Sequence, residues 1–261
     1  MEIREELLLP TNYVKSDFIL EPVSTLNTQN GVMTRSLIRR KYSDGLPGLF
    51  LAGLPPQFCF GLNKKYEYGK ERIIDNWTNE YQITYSVTSL KTRDNPTSLE
   101  KGVFDMCDSM EAELAKYIVE HHETLGGIYD QLGTNLTNAK ALVKPILTMP
   151  RKKDPSDKTG KKKMFDQEKT YSFYFNVMRN RKMKNFITRL YGADNKEIKP
   201  LTTIEDVSGT LEPVIYFSHV HFSISKASYQ VKLWEGNFTP SESFGPRRRL
   251  LGAPQVCPEG F

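Results

Sequence analysis

Apolar positions recur along the chain with two different periods, and the change from one to the other falls near residue 97. In "YQITYSVTSL", Tyr81, Ile83, Tyr85 and Val87 alternate with Gln82, Thr84, Ser86 and Thr88. That is the pattern of a strand with one buried and one wet face. The next stretch, "TSLEKGVFDMCDSMEAELAKYIVEHH", places Leu99, Val103, Met106, Met110, Leu114 and Tyr117 or Ile118 on one helical stripe. Thr97 and Glu100 form a capping-box pattern just after Pro96, and Gly126-Gly127 supplies a stop. A helix is therefore expected over about 97–124, packed through its apolar stripe, with acids on the opposite face.

Strand periodicity returns in "TYSFYFNVM". Tyr171, Phe173, Phe175 and Val177 fall on one side and read as core; Ser172, Tyr174, Asn176 and Met178 fall on the other. "PVIYFSHVHFSI" and "ASYQVKLWEGNF" read as two strands joined at Ser225-Lys226, with Tyr229, Val231 and Leu233 inward and Gln230, Lys232 and Trp234 outward. Upstream, residues 31–63 read as a strand, a turn at Asp44-Gly45, a segment ending at Pro55-Pro56, and the short extended piece "QFCFGLN". Many strands with one long helix between them predict an α+β or mainly β fold built on a small antiparallel barrel. The expected organisation is an N-terminal arm over 1–30, a single domain over 31–240 with a basic loop at 151–169, and a tail over 241–261 rich in Pro, Gly and Arg.

Composition changes this picture mainly through where the charge lies. The 261 residues carry a net charge of only +5. From Lys140 to Tyr191, however, 15 Lys and Arg meet 4 Asp and Glu, whereas from Thr97 to Asp130 8 acids meet 2 bases. A concentrated basic segment beside an acidic helix is the electrostatic footprint of a polyanion-binding protein, although charge alone also fits a solvated surface. Three cysteines without close spacing, Cys59, Cys107 and Cys257, imply neither a disulfide framework nor a thiolate zinc site, and fit an intracellular, reducing compartment. The N-terminus has no signal-peptide pattern. The uncharged run from Leu46 to Leu62 is broken by Pro47, Pro55 and Pro56, so no membrane helix is expected.

Candidate chemistry favours binding over catalysis. The chain has no phosphate-binding glycine loop, nucleophile elbow or HExxH, and no catalytic residue, cofactor or metal is predicted. His219 and His221 share a strand face, but without further ligand types nearby they read as a polar face. Asp105, Asp108, Glu111 and Glu113 read as the solvated side of the amphipathic helix. Single-stranded nucleic acid needs a basic groove for its backbone and aromatic faces for its bases. Arg151, Lys152, Lys153, Lys161, Lys162 and Lys163 are candidates for the groove, continued by Arg179, Arg181, Lys182 and Lys184. Tyr174 is the candidate stacking residue, because its neighbours on that face are polar. Lys232 and Trp234 form a second candidate pair, with a Trp packed under the long helix as the alternative.

Four stretches, taken in order, resemble the single-stranded-DNA-binding proteins of large nucleocytoplasmic DNA viruses, a group related to the phage replication binding proteins with an OB-fold. They are "LPPQFCFGLN"; "YQITYSVTSLKTRDNPTSLEKGVFDMCDSMEAELAKYI"; "KTYSFYFNVM" with "FITRLYGADNKEIKPL"; and "VIYFSHVHFSISKASYQVKLWEGNF". The resemblance implies an OB-fold-like barrel decorated by a helix, a role in viral DNA replication, recombination or repair, and no enzymatic activity. It implies single-stranded DNA as partner, with replication proteins beside it, and leaves a homo-oligomer open. The phage-type relatives end in an acidic tail with a terminal aromatic residue. This chain ends in Phe261 but is basic at Arg247, Arg248 and Arg249, a departure from the acidic pattern on which tail recruitment rests, which leaves the role of this tail open. The rival reading is a virion structural or scaffold protein with a β-barrel core. A nucleic-acid enzyme would rest on the acidic helix alone.

Overall fold

A computed structural model describes residues 7–13, 18–28, 31–40, 48–65, 80–89, 91–132, 134–149, 151–153, 155–156, 163–166, 170–180 and 182–241. Short strands β1 (Leu7–Leu8), β2 (Phe18–Leu20) and β3 (Ser24–Thr28) precede the longer β4 (Gly31–Arg40). Then come β5 (Leu49–Leu51), β6 (Gln57–Lys65) and β7 (Glu80–Ser86), followed by helix α1 (Ser98–Leu125) and the short α2 (Leu136–Leu142). Next are β8 (Arg151–Lys153), β9 (Lys163–Phe165), β10 (Ser172–Val177), β11 (Arg179–Asn180), β12 (Asn185–Phe186) and β13 (Arg189–Tyr191). The two longest strands, β14 (Gly209–Phe222) and β15 (Ala227–Pro240), end the described chain as a hairpin.

Five of these strands close on themselves. β14 pairs with β6, β6 with β7 and β7 with β10, each antiparallel. β10 then runs parallel to β15, and β15 returns antiparallel to β14. The circuit β14–β6–β7–β10–β15 is a five-stranded barrel, the OB-fold-like, mixed α+β arrangement expected from the sequence. The apolar half of each alternation fills it: Ile83, Tyr85, Phe173, Phe175, Phe217 and Leu233 are all fully buried. Phe175 stacks at 5.3 Å on Phe173 and lies 5.8 Å from Tyr85. β14 serves β6, β5 and β4 in turn along one edge. Its pairing with β15 carries register shifts at Val214/Ile215 and Phe217/Val220.

The helix forms where its caps and stripe predict. The Thr97 hydroxyl accepts the Glu100 N–H at 3.3 Å, and the Glu100 carboxylate accepts the Thr97 N–H at 2.7 Å, completing the capping box. The same carboxylate, 2% exposed, also accepts the Thr92 hydroxyl at 2.7 Å and the Gln57 amide at 3.2 Å. Glu100 therefore ties the helix start to the loop before it and to β6. Glu100→Ala leaves three donors without their acceptor and should cost about 2 kcal/mol in denaturant unfolding, with Glu100→Gln costing less. Val103, Met106, Met110, Leu114 and Ile118 are buried. The helix packs on the inward side of the β14–β15 hairpin, where the Tyr229 hydroxyl donates to the Met110 carbonyl at 2.8 Å. Glu111 departs from the solvated side. It accepts the Ile146 N–H at 2.7 Å, and burial raises its carboxyl above the ordinary range.

Three boundaries differ from expectation. The described residues of the expected arm join the domain's strands: β1 pairs with β5, β2 and β3 pair with β4, and the expected boundary falls between β3 and β4, where Thr28 pairs with Gly31. Short segments there gain their structure from distant partners, which local periodicity does not register. The ends of the 151–169 loop form the β8–β9 ribbon, and the basic connector after β10 forms the β11–β12 ribbon. The expected turn at Asp44-Gly45 and the tail from residue 242 onward lie outside the described residues. Among the described residues, no helix is long and apolar enough to cross a membrane.

Candidate nucleic-acid interface

The polar half of each alternation faces outward, and on one side of the barrel these halves join into a continuous surface. Asn176 of β10 pairs with Lys232 of β15, Lys232 with Tyr216 of β14, and Tyr216 with Phe50 of β5. One rung of side chains thus crosses four strands, with Phe50 buried at its end. A neighbouring rung begins with Thr84 of β7 paired with Tyr174 of β10. From Gln82 to Ser86, Ser172 to Asn176 and Ser228 to Trp234, no outward position carries a carboxylate. Tyr174 is 43% exposed, while Phe173 and Phe175 beside it are fully buried. The division of "TYSFYFNVM" into a core side and an outer side is therefore as expected.

Cations collect on this surface without acids to answer them. Lys232 is half-buried and has no ion-pair partner among the described residues; its Nζ lies 5.9 Å from the centre of the Tyr216 ring. Burial, and then the charge of Arg35, pull its pKa below the ordinary lysine value. Arg35 arrives from β4, paired with His221 of β14. Its Nε is buried with no hydrogen-bond acceptor among the described residues. His219, whose Nδ1 lies 2.9 Å from the Ser218 hydroxyl, is pushed down to about 4, first by burial and then by Lys232, Arg35 and His221. A phosphate placed here would relieve the mutual repulsion of Lys232 and Arg35.

Trp234 packs into an aromatic cluster and does not stand as a free outward platform. It meets Phe50 edge-on at 5.1 Å and Tyr216 at 5.8 Å, and those two rings stack at 4.6 Å. Tyr216 and Phe50 come from β14 and β5, so this cluster depends on pairings between strands remote in sequence. It backs the rung that carries Lys232.

Basic ribbons stand at both ends of β10. The β8–β9 ribbon leaves the barrel close to where Thr148 bridges Ser172, two residues from Tyr174. It carries Arg151, Lys152, Lys153 and Lys163; Lys152 is exposed and lies 3.7 Å from the Asp166 carboxylate. Lys161 and Lys162 lie outside the described residues, as does Arg181. Beyond Val177, Arg179 sits 5.8 Å from the centre of the Tyr81 ring, so part of its charge is committed to the barrel. It lines one pocket of about 340 Å³ together with Lys232 and Asn176. Lys182 and Lys184 are exposed at the tip of the β11–β12 ribbon.

Four residues of this surface were not among the sequence candidates. Arg35 and Tyr216 are brought in by β4 and β14 and carry no local signal. Phe58 and Phe60 do carry one, since they alternate with buried Cys59 in "QFCFGLN". Period two alone does not say which side faces solvent.

No protein-family model matches the chain, and no curated protein matches it. Solved structures similar to it include two single-stranded-DNA-binding proteins of bacteriophages. One is a single-stranded DNA-binding protein from bacteriophage Enc34 in complex with ssDNA, 14% identical, with 87% of this chain and 98% of that chain covered and a TM-score of 0.34. The other is gp2.5, a single-stranded DNA binding protein encoded by bacteriophage T7, 15% identical, with 73% of this chain and 90% of that chain covered and a TM-score of 0.29. What this chain's own surface can bind follows from its geometry.

Proposed function

We propose that the chain is a non-enzymatic, largely sequence-independent single-stranded-DNA-binding protein, acting in viral DNA replication, recombination or repair. The observation that carries this reading is the outer face formed by Gln82 to Ser86, Ser172 to Asn176 and Ser228 to Trp234, where no outward position carries a carboxylate. There, Lys232 and Arg35 lack anionic partners among the described residues, beside the exposed ring of Tyr174. A flexible strand laid along β10 would pass from one basic ribbon to the other, its phosphates on cations and its bases within reach of an aromatic ring. Such a face reads charge and base planes, which every sequence offers, so little sequence preference is expected. The four stretches that resemble the binding proteins of large nucleocytoplasmic DNA viruses support the viral setting.

Fluorescence anisotropy with labelled single and double strands over a salt series tests the reading. With about five phosphates engaged, log affinity for the single strand should fall against log salt with a slope near about −3.5. Replacing Lys161, Lys162 and Lys163 together by alanine should flatten that slope with little change in stability. Equal affinity for single and double strands, or no binding at low salt, would overturn the proposal.

A further inference from the structure

A second cavity, of about 690 Å³, lies beyond the β11–β12 ribbon. Its walls are the end of that ribbon, the start of β13, and the chain from Glu197 into the short 3-10 turn Leu201–Ile204. Tyr191 bridges Glu197, and the Ile198 N–H donates to the Leu190 carbonyl at 2.8 Å, which ties one wall to β13. Thr188 fastens the other wall to the barrel. Its hydroxyl donates to the Leu233 carbonyl at 2.7 Å and accepts the Met178 N–H at 2.8 Å. The cavity is thus built into the fold, and its volume is within the range of about 300–1,000 Å³ usual for ligand sites.

The two cavities share one partition. Ile187 lines the smaller one together with Lys232 and Arg179, whereas its neighbours Phe186 and Thr188 line the larger one. The segment between β12 and β13 is therefore a wall with a cavity on each side. The larger cavity backs onto the cationic surface without being part of it.

Its lining combines apolar area with cations. Phe186, Ile198, Pro200 and Leu201 supply the apolar part, and Lys184, Arg189 and Lys199 stand around it with the single acid Glu197. That acid is already answered, since the Lys199 Nζ lies 2.7 Å from its carboxylate. Arg189 is in register with Glu235 of β15, yet the two form no ion pair, and neither Lys184 nor Arg189 has an ion-pair partner among the described residues. Cations around an apolar floor complement carboxylates around an apolar side chain. Phosphates would answer the cations as well. A base, however, would find one aromatic ring here, Phe186, already packed edge-on against Tyr81 at 5.6 Å.

We infer that this cavity is a docking site for a partner protein, and that it takes an acidic peptide segment in which one or two large apolar side chains are flanked by Asp and Glu. The apolar side chains lie on Ile198 and Pro200, and the carboxylates on Arg189 and Lys184. Because the Phe186–Thr188 wall separates the two cavities, the peptide and single-stranded DNA bind at once. The docking is independent of the DNA-binding reading; only this simultaneous occupancy rests on it.

The full-length chain is titrated with a fluorescein-labelled synthetic peptide that has Phe-Leu at its centre and four acids on each side, and with a control of the same charge in which Ala-Ala replaces Phe-Leu. The first peptide should bind about tenfold or more tightly than the control. Arg189→Glu should weaken it by about tenfold or more, while at physiological ionic strength the affinity for oligothymidine stays within about threefold. In methyl-labelled protein, the Ile198 and Leu201 signals should shift on adding the peptide, and those of Ile83 and Val231 should not. That measurement reads the wild-type cavity directly even if Arg189→Glu folds poorly. Saturating oligothymidine should leave the peptide bound. Equal binding of both peptides, no binding of either, or shifts that spare Ile198 and Leu201 overturns the docking site. Displacement of the peptide by oligothymidine, or a shift of Ile198 and Leu201 by oligothymidine itself, overturns it too and assigns the cavity to nucleic acid. Failure of oligothymidine to bind at low salt overturns the DNA-binding reading and leaves the peptide result standing.

Discussion

Phe175→Ala should destabilise the protein by about 3–5 kcal/mol, whereas Tyr174→Ala, one position earlier, should leave the unfolding midpoint nearly unchanged and weaken binding of single-stranded DNA instead. The two side chains stand on the same strand and face opposite ways. Phe175 is fully buried between Phe173 and Tyr85, and its removal opens a cavity that the two remaining rings, one on each strand, cannot collapse to fill. Tyr174 is 43% exposed and paired with Thr84 on the outer face, so truncating it removes little buried area. If a base stacks on it, its loss should cost about 1–3 kcal/mol of binding. Urea unfolding and anisotropy on the two variants separate the effects. A large loss of stability in Tyr174→Ala, or a pure binding defect in Phe175→Ala, would reverse the assignment of the faces.

Gly61→Ala is the other substitution with a large expected cost, about 3 kcal/mol or more. Gly61 occupies the irregularity in β6 where the register to β7 shifts, with φ of +68°. A side chain in that left-handed conformation costs about 1–2 kcal/mol by itself. A Cβ built there would also lie 2.1 Å from the Val207 carbonyl oxygen and 2.5 Å from that of Ile204. Both are backbone atoms, so relief requires moving the segment that leads into β14, and crowding of this kind adds about 1–3 kcal/mol. Thermal unfolding of Gly61→Ala measures the sum. A midpoint within a degree or two of wild type would show that this segment yields freely.

The sequence was most informative where one element decides its own fate. The capping box at Thr97 and Glu100, the stripe from Val103 to Ile118 and the Gly126-Gly127 stop delimit α1, because caps and stripes act within a few turns of chain. The alternations of β7, β10 and β15 separate core from surface for the same reason. Tyr174 and Lys232 fell on the correct side of their strands. What could not be read was which strands meet. Arg35 reaches the Lys232 rung only because β4 pairs with the far half of β14, and Trp234 finds Phe50 and Tyr216 only across three strands. Bulges blur the rule further: Phe60, Gly61 and Leu62 break the alternation of β6, leaving Leu62 buried where strict period two would expose it. The N-terminal strands are too short to carry a period at all, and are defined by β4 and β5.

The order in which the barrel's strands occur along the chain has a consequence for how it is made. β15, the last described strand, supplies partners to β14, β10 and β13, and the parallel β10–β15 contact is the one that closes the ring. During synthesis, β6, β7 and β10 leave the ribosome long before residues 227–240 follow. Until then, β10 and later β14 present unpaired edges, with aromatic core faces uncovered beside them. A nascent chain of this topology cannot complete its barrel strand by strand as it emerges. It must hold an open, adhesive half-barrel until β15 is available.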